Sequence, residues 1–112
     1  FPIFYKNEHF RYIRCNNAFS RFLERSKGDI YGKTVFDLAP QDLAKQYHSK
    51  DEDLFESGDI QVYESFVEDL HGNSKNVVFK KSICKLEDKK IGIVGVITDI
   101  NELNNFFDSL DN

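Results

Sequence analysis

Lys90-Ile91-Gly92-Ile93-Val94-Gly95-Val96-Ile97-Thr98-Asp99-Ile100 is the most apolar run of the chain, and its reading decides the fold. The stretch from Ile91 to Ile97 holds only apolar residues and glycine, and it falls far short of the ~20 residues that cross a bilayer as a helix. Charged and turn-forming residues bound it, so it reads as a strand buried on both faces, in the middle of a sheet. Gly92 and Gly95 lie inside that strand, where glycine marks a bulge or the close approach of another group. Directly afterwards Leu103, Phe106, Phe107 and Leu110 recur at i, i+3, i+4 and i+7, the spacing of one helical face. Asp99 or Asn101 can cap that helix, and Glu102 suits its N-terminal end. A central strand therefore feeds straight into an amphipathic exit helix.

Upstream of this stretch the apolar period is two. Asn76 to Leu86 and Ile60 to Leu70 read as strands, joined by a His71-Gly72-Asn73-Ser74 turn, with Glu87-Asp88-Lys89-Lys90 as the next turn. Before Gly58 the period is helical. Pro40 suits the start of a long helix and Gly58 a left-handed stop; Leu43, Ala44, Tyr47, Leu54 and Phe55 share a face broken by Asp51. Thr34 can cap a short helix through Val35, Phe36 and Leu38, after a turn at Ile30-Tyr31-Gly32-Lys33. Asn16 or Asn17 can cap a helix carrying Ala18, Phe19, Phe22 and Leu23 and ending near Ser26-Lys27-Gly28. At the start, Pro2 to Tyr5 and Phe10 to Cys15 read as a hairpin around a polar Lys6-Asn7-Glu8-His9 turn. Two strands, short helices, then three antiparallel strands make an α+β domain with one five-stranded sheet.

The totals bound what such a domain can do. With 112 residues the chain is one domain, able to bury somewhat over about 60% of its unfolded surface. Eleven Phe and five Tyr point to a tightly filled or aromatic-lined interior. There is no Met, and Phe stands first, so a segment of a longer polypeptide or a processed N-terminus is expected. Polar residues interrupt Phe1 to Phe10, which is no signal peptide. A net charge of −4 without a dense basic patch argues against nucleic-acid partners. Cys15 and Cys84 have no metal-type spacing and read as reduced thiols in a reducing cytoplasm.

Ile13 to Phe19, Ile30 to Lys33 with Asp37 to Pro40, Ser57-Gly58 with Tyr63-Glu64 and Asp69 to Asn73, and Gly92 to Asn101 stand in an order that resembles the PAS sensor domain. Ile13-Arg14-Cys15-Asn16-Asn17-Ala18-Phe19 is similar to that family's strand followed by Asn-x-Ala-Phe. Ile30-Tyr31-Gly32-Lys33 with Asp37-Leu38-Ala39-Pro40 is similar to its Ile-Gly-Lys and Asp-Leu-x-Pro segment. Ser57-Gly58, Tyr63-Glu64 and Asp69 to Asn73 follow its middle pattern, with His71 where Asp is usual. Gly92 to Asn101 looks like its closing Asp-Ile-Thr segment, with Asn101 in place of Thr. The resemblance covers roughly residues 2 to 101. It implies a sheet of order 2-1-5-4-3 curved around a cavity, a sensory domain over residues 1–101 and the start of a signalling helix over 102–112. It further implies a cytoplasmic, non-catalytic, homodimerising module. Such a module would be fused to an effector such as a histidine kinase, a diguanylate cyclase or a transcription regulator, in two-component or cyclic-di-GMP signalling.

What the cavity holds is an open choice at this level. Phe36, Tyr47, Phe55, Phe79 and Ile93 can line a small-ligand pocket, with Tyr47 and Asp51 as polar tips at its edge. The same aromatics fit a packed core, which is the reading for Phe19, Phe22 and Phe66. Light-sensing flavin relatives carry a reactive Cys in the helical region, and none stands between Leu38 and Gly58. Haem-binding relatives carry an axial His on the long helix; that position falls on Tyr47, with His48 one residue away, about 100° around the helix. His9 and His71 read as solvated turn residues. The carboxylate pairs Asp51/Asp53, Glu64/Glu68 and Asp99/Glu102 read as charged surface. Two rivals remain: a ligand-free interaction module, and a small cone-shaped α+β enzyme using Asp51 with Tyr47. Ile91–Ile97 at a sheet edge would favour the enzyme reading. In either sensory reading the face of Leu103, Phe106, Phe107 and Leu110 must pack on its own sheet, meet a second copy, or continue into a coiled coil.

Overall fold

In the computed structural model, which describes residues 1–69 and 71–111, the apolar run becomes strand β5, Lys89–Asp99. It pairs antiparallel with β1, Ile3–Asn7, on one side and with β4, Ser74–Leu86, on the other. Strand β2, Tyr12–Cys15, lies outside β1, and β3, Ile60–Glu68, lies outside β4, giving the order β2-β1-β5-β4-β3. The central position of β5 is the one the sequence predicts, not the edge placement that would favour the cone-shaped enzyme. Leu70, predicted to end the third strand, and Asn112 lie outside the described residues.

β5 is buried on one face rather than two. Gly92, Ile93, Gly95 and Ile97 are buried, while Val94 and Val96 on the other side are half-buried. Both glycines are there because a neighbour takes the space of a side chain. A Cβ at Gly95 would stand 2.2 Å from Phe4 Cζ, and one at Gly92 would stand 2.1 Å from the Lys6 carbonyl oxygen. Gly92 also pairs with Cys84 where the β4–β5 register shifts.

The helices cover the face of the sheet that carries Phe4, Phe79 and Ile97. Helix α1, Asn17–Leu23, starts at Asn16, whose side chain accepts from the Phe19 amide at 2.9 Å. It stops at Glu24, in the left-handed region at φ 57°, so the predicted stop near Gly28 moves upstream. Lys27–Ile30 forms a separate turn, α2, capped by Ser26. Helix α3, Val35–Leu38, opens on a reciprocal cap in which the Thr34 amide donates to Asp37 Oδ2 at 3.0 Å. Helix α4, Gln41–Ser57, follows Pro40 and ends before Gly58. Gly58 is extended, at φ −106°, not left-handed; its need is space, since a Cβ would meet Leu54 Cδ1 at 3.1 Å.

The core joins Phe4, Tyr12, Phe19, Ile30, Val35 and Phe79 with Ala44, Val77 and Ile97. Phe4, Tyr12 and Phe19 meet ring to ring at 5.2–5.6 Å between centroids, a geometry that adds to the burial itself. Phe66, expected in the core, is exposed instead. In β3 the inward phase is Gln61, Tyr63, Ser65 and Val67, which leaves Ile60, Val62 and Phe66 on the outer face.

Helix α5, Ile100–Leu110, leaves the sheet from the end of β5 with Asp99 as its cap; Asp99 Oδ1 accepts from the Asn101 amide at 2.8 Å. Beyond its first turns the helix does not fold back on the sheet. Leu103 is half-buried, while Phe106, Phe107 and Leu110 are 57%, 51% and 65% exposed, which excludes the first of the three predicted destinations for that face. Among the described residues no helix is long and apolar enough to cross a membrane.

Replacing Gly95 by Ala forces Phe4 out of its place and is expected to cost about 1–3 kcal/mol, the usual cost of overpacking. Urea unfolding measures it, with part of the loss restored when Phe4→Leu is added. An unchanged midpoint contradicts this packing.

Candidate functional site

The register of the sheet sets out the floor of a cavity in rows. Ile97, Phe79 and Tyr63 form one row, Phe4, Gly95 and Lys81 the next, and Lys6, Ile93 and Ile83 the third. The middle row has no side chain at Gly95, whose place the Phe4 ring takes. Above it stand α1, α3 and the first turns of α4, contributing Phe22, Val35, Leu38, Leu43, Tyr47 and Asp51 to the walls. The enclosed space is about 50 Å³, enough for roughly three to five water-sized groups. Its mouth, between Leu23, Leu38, Pro40 and Glu68, opens on a polar surface groove with Arg25, Asp37 and Asp69.

At the inner end of the cavity sit three charges. Asp51 on α4 accepts from Lys6 Nζ of β1 at 2.6 Å and from Lys81 Nζ of β4 at 2.7 Å. The three side chains are 1%, 3% and 2% exposed in that order. β1 and β4 flank β5, so a single carboxylate ties α4 to two strands across the middle of the sheet. Lys6 also lies 4.7 Å from the Tyr12 ring centroid, and Lys81 lies 4.9 Å from that of Tyr63, contacts that favour a desolvated cation.

Burial would raise the Asp51 carboxyl, but the two ammonium groups outweigh it and hold the group below the usual carboxylate range. For Lys6, burial is outweighed by Tyr12 and Asp51, and its value is raised. Lys81 goes the other way: burial pulls it down, and Asp51 does not make up the difference against Lys6 and Lys50. Burial pushes the Tyr47 phenol up to about 12 and raises Tyr12 and Tyr63 as well. All three phenols stay protonated near neutrality. Asp51 is thus a bound carboxylate, not a free base of the kind the cone-shaped enzyme would need.

The structure brings together half of the predicted pocket. Tyr47, Asp51 and Phe79 line it; Tyr47 Oη donates to the Phe66 carbonyl oxygen, and Asp51 is at the bottom, not at the edge. Phe36, Phe55 and Ile93 are outside the lining. On α3, Val35 takes the inward position and turns Phe36 out, where it packs on His48 with ring centroids 5.2 Å apart. On α4, Leu54 takes the inward position, and Phe55 packs on Phe10 at 5.7 Å. Ile93 is fully buried beside Lys6 and does not line the cavity.

His48 sits between the Phe10 and Phe36 rings, with Nε2 3.4 Å from Glu52 Oε1, and does not line the cavity. His48 therefore offers no axial imidazole to the cavity. The exposed His9 and His71 are the solvated turn residues expected. Sequence reading missed Lys6, assigned to a turn, and Lys81. Their signal was the alternation Phe4/Lys6 in β1 and Val77/Phe79/Lys81/Ile83 in β4, which puts both lysines on the inward face.

Removing the carboxylate while keeping its shape, Asp51→Asn, leaves two buried ammonium groups and is expected to cost about 3–5 kcal/mol at pH 7. Lys81→Met leaves a neutral Lys6–Asp51 pair and should cost less. Because the folded value of Asp51 is depressed, its contribution is present above about pH 4 and is lost as pH falls through the folded value. Urea unfolding from pH 7 downward should therefore show an acid-dependent loss in the wild type that Asp51→Asn lacks. Equal stability of the two proteins at pH 7 would contradict the triad's role.

Comparison with known proteins agrees with this architecture. The sequence model described as "PAS fold" matches residues 1–105. The uncharacterized protein y4lL of Sinorhizobium fredii is 29% identical over 105 residues, which cover 90% of this chain but 13% of that protein. Among solved structures, the PAS domain of Bordetella pertussis BvgS superposes with a TM-score of 0.69 at 22% identity, over 98% of this chain and 83% of that one. The PAS domain of a Colwellia psychrerythraea protein gives 0.76 at 16% identity, covering 88% and 84%. VqmA solved bound to DPO gives 0.78 at 18% identity, covering 88% of this chain and 50% of that one. Sequence motifs, strand order and the family match over residues 1–105 agree, and the chain belongs to the PAS family of domains, which are generally sensory and signalling modules.

Proposed function

We propose that this chain senses a small molecule in the cavity and passes its occupancy through β5 to α5. The observation that carries this reading is distance along the chain. Ile97 lines the cavity, and two residues later Asp99 caps α5. A ligand that pushes on the Ile97–Phe79–Tyr63 row therefore acts almost directly on the cap of the exit helix. Such a relay works only if the ligand favours one of two helix arrangements over the other. VqmA, which shares the fold, has been solved bound to DPO; the extension of a ligand-bound state to this chain rests on its own cavity.

The sensory unit in this reading is residues 1–101, and 102–112 begin the helix that leads to an effector, such as a kinase, cyclase or transcription regulator. Leu103, Phe106, Phe107 and Leu110 then pair with a second copy or continue into a coiled coil. Phe106 and Phe107 already touch each other, at 5.9 Å between ring centroids, and their exposure leaves an apolar stripe that water does not favour. One observation favours the alternative of a ligand-free interaction module: at about 50 Å³ the cavity is small.

Native mass spectrometry and an absorbance spectrum of the purified protein separate the two readings. A bound small molecule, or one acquired from a metabolite extract with a rise in melting temperature, is the expected result; an empty cavity that takes up nothing removes the sensory reading. For the helix, Leu103→Glu with Phe106→Glu should weaken self-association at least tenfold in sedimentation velocity without changing the melting temperature by more than a few degrees. Unchanged association would take the stripe out of the relay.

A further inference from the structure

Beside the root of α5 the surface folds into an open groove of about 480 Å³. Phe1, with Ala18 and Phe22 of α1, gives it an apolar floor, and Glu102 marks the side where α5 begins. Its cations are Arg21 of α1 and Lys75 of β4, both exposed. Lys75 Nζ lies 5.2 Å from the Phe22 ring centroid, which keeps that ammonium over the groove. Among the described residues neither cation forms an ion pair. The matching character belongs to α5 itself. Phe106, Phe107 and Leu110 are exposed on one face. Asp108 follows Phe107 and Asp111 follows Leu110, so both carboxylates stand on the same flank of that stripe, about 100° round from it. From Asp99 to Asp111 the chain carries Asp99, Glu102, Asp108 and Asp111 and no Lys, Arg or His. Pairing this helix with a second α5 covers the apolar face but brings it no opposite charge. The groove offers both an apolar floor and the cations.

Resting on the reading above that α5 meets a second copy, we propose where it lands: the C-terminal half of α5 from one copy lies in the groove at the root of α5 of the other. Phe106, Phe107 and Leu110 cover Phe1, Ala18 and Phe22, while Asp108 and Asp111 face Arg21 and Lys75. Each copy carries both the helix and the groove, so a two-fold axis makes the contact twice. The groove borders the first turn of α5 at Glu102. The tip of each helix therefore meets the root of the other, and the two helices run antiparallel. Burial of the aromatic stripe supplies most of the affinity. Exposed ion pairs add little each, but they decide which face and which direction are chosen. A parallel pair of α5 helices would leave Arg21 and Lys75 outside the contact.

The test is charge reversal followed by sedimentation velocity on the whole chain, in about 50 mM sodium chloride so that surface charges are little screened. Asp108→Lys with Asp111→Lys makes the helix tip basic, and Arg21→Glu with Lys75→Glu makes the groove acidic. Each variant alone, checked for folding by circular dichroism, should self-associate about tenfold more weakly than the wild type, since attraction becomes repulsion at both contacts. An equimolar mixture of the two variants should return to within about threefold of wild-type affinity, because every tip then meets a groove of opposite sign. A second measurement needs no substitution. Carbodiimide coupling of mixed ordinary and isotope-labelled wild-type protein should join Lys75 of one copy to Asp108 or Asp111 of the other, seen as peptide pairs with one light and one heavy member. Unchanged association on reversal of Arg21 and Lys75, or mixed pairs that lack Lys75, overturns the groove assignment. The broader reading, that α5 meets a second copy, survives that result if Leu103→Glu with Phe106→Glu still weakens association and falls if it does not. A wild-type chain that stays monomeric at about 0.5 mM overturns both.

Discussion

One carboxylate, Asp51, holds this structure in its working shape. It lies on α4 and reaches over β5 to ammonium groups on β1 and β4, two strands that do not touch each other. Hydrophobic burial alone would bring α4 onto the sheet in many sliding positions, because apolar contact is non-directional. Two short charge-assisted hydrogen bonds fix one position. They also hold the inner end of the cavity polar while its walls stay apolar, which is the usual composition of a ligand site.

The backbone is arranged to make that contact possible. Gly95 gives its space to the Phe4 ring, and Gly92, on the same strand, allows the Lys6 carbonyl of β1 to come close. A larger residue at either position would move β1 against β5 and carry Lys6 away from Asp51. Further along, Lys90 Nζ donates to the Glu56 carbonyl oxygen at 3.1 Å and also to that of Phe55, which anchors the C-terminal end of α4 to the start of β5. β5 thus touches the long helix at one end, the charge cluster and cavity along its middle, and the exit helix at its other end.

Much of this was legible in the sequence. The unbroken apolar run from Ile91 to Ile97 led to a central strand, the Leu103–Leu110 spacing to the exit helix, and Asp99 to its cap. Periodicity failed where charge and burial disagreed. Lys6 next to Asn7, Glu8 and His9 looks like a turn, and Asp51, which breaks an apolar helical face, reads as a polar tip at the pocket's edge with no sign of the two lysines it meets. Only the pairing of β1 and β4 with β5 brings them together, and such long-range register is not written in any local window. Phe36, Phe55 and Phe66 misled for a related reason. Each is adjacent to the residue that takes the inward position, and composition does not say which of two apolar neighbours points in.

The central claim is that the charge cluster and the cap of α5 are coupled through β5. Hydrogen exchange at the Asn101 and Glu102 amides, which donate to Asp99, reads that coupling most directly. In Lys81→Met these amides should lose or gain protection by at least threefold relative to the wild type, while the control Lys80→Met, altered at the exposed neighbour, leaves them unchanged. Identical protection in all three proteins, with the cluster broken only in the first, would contradict the account.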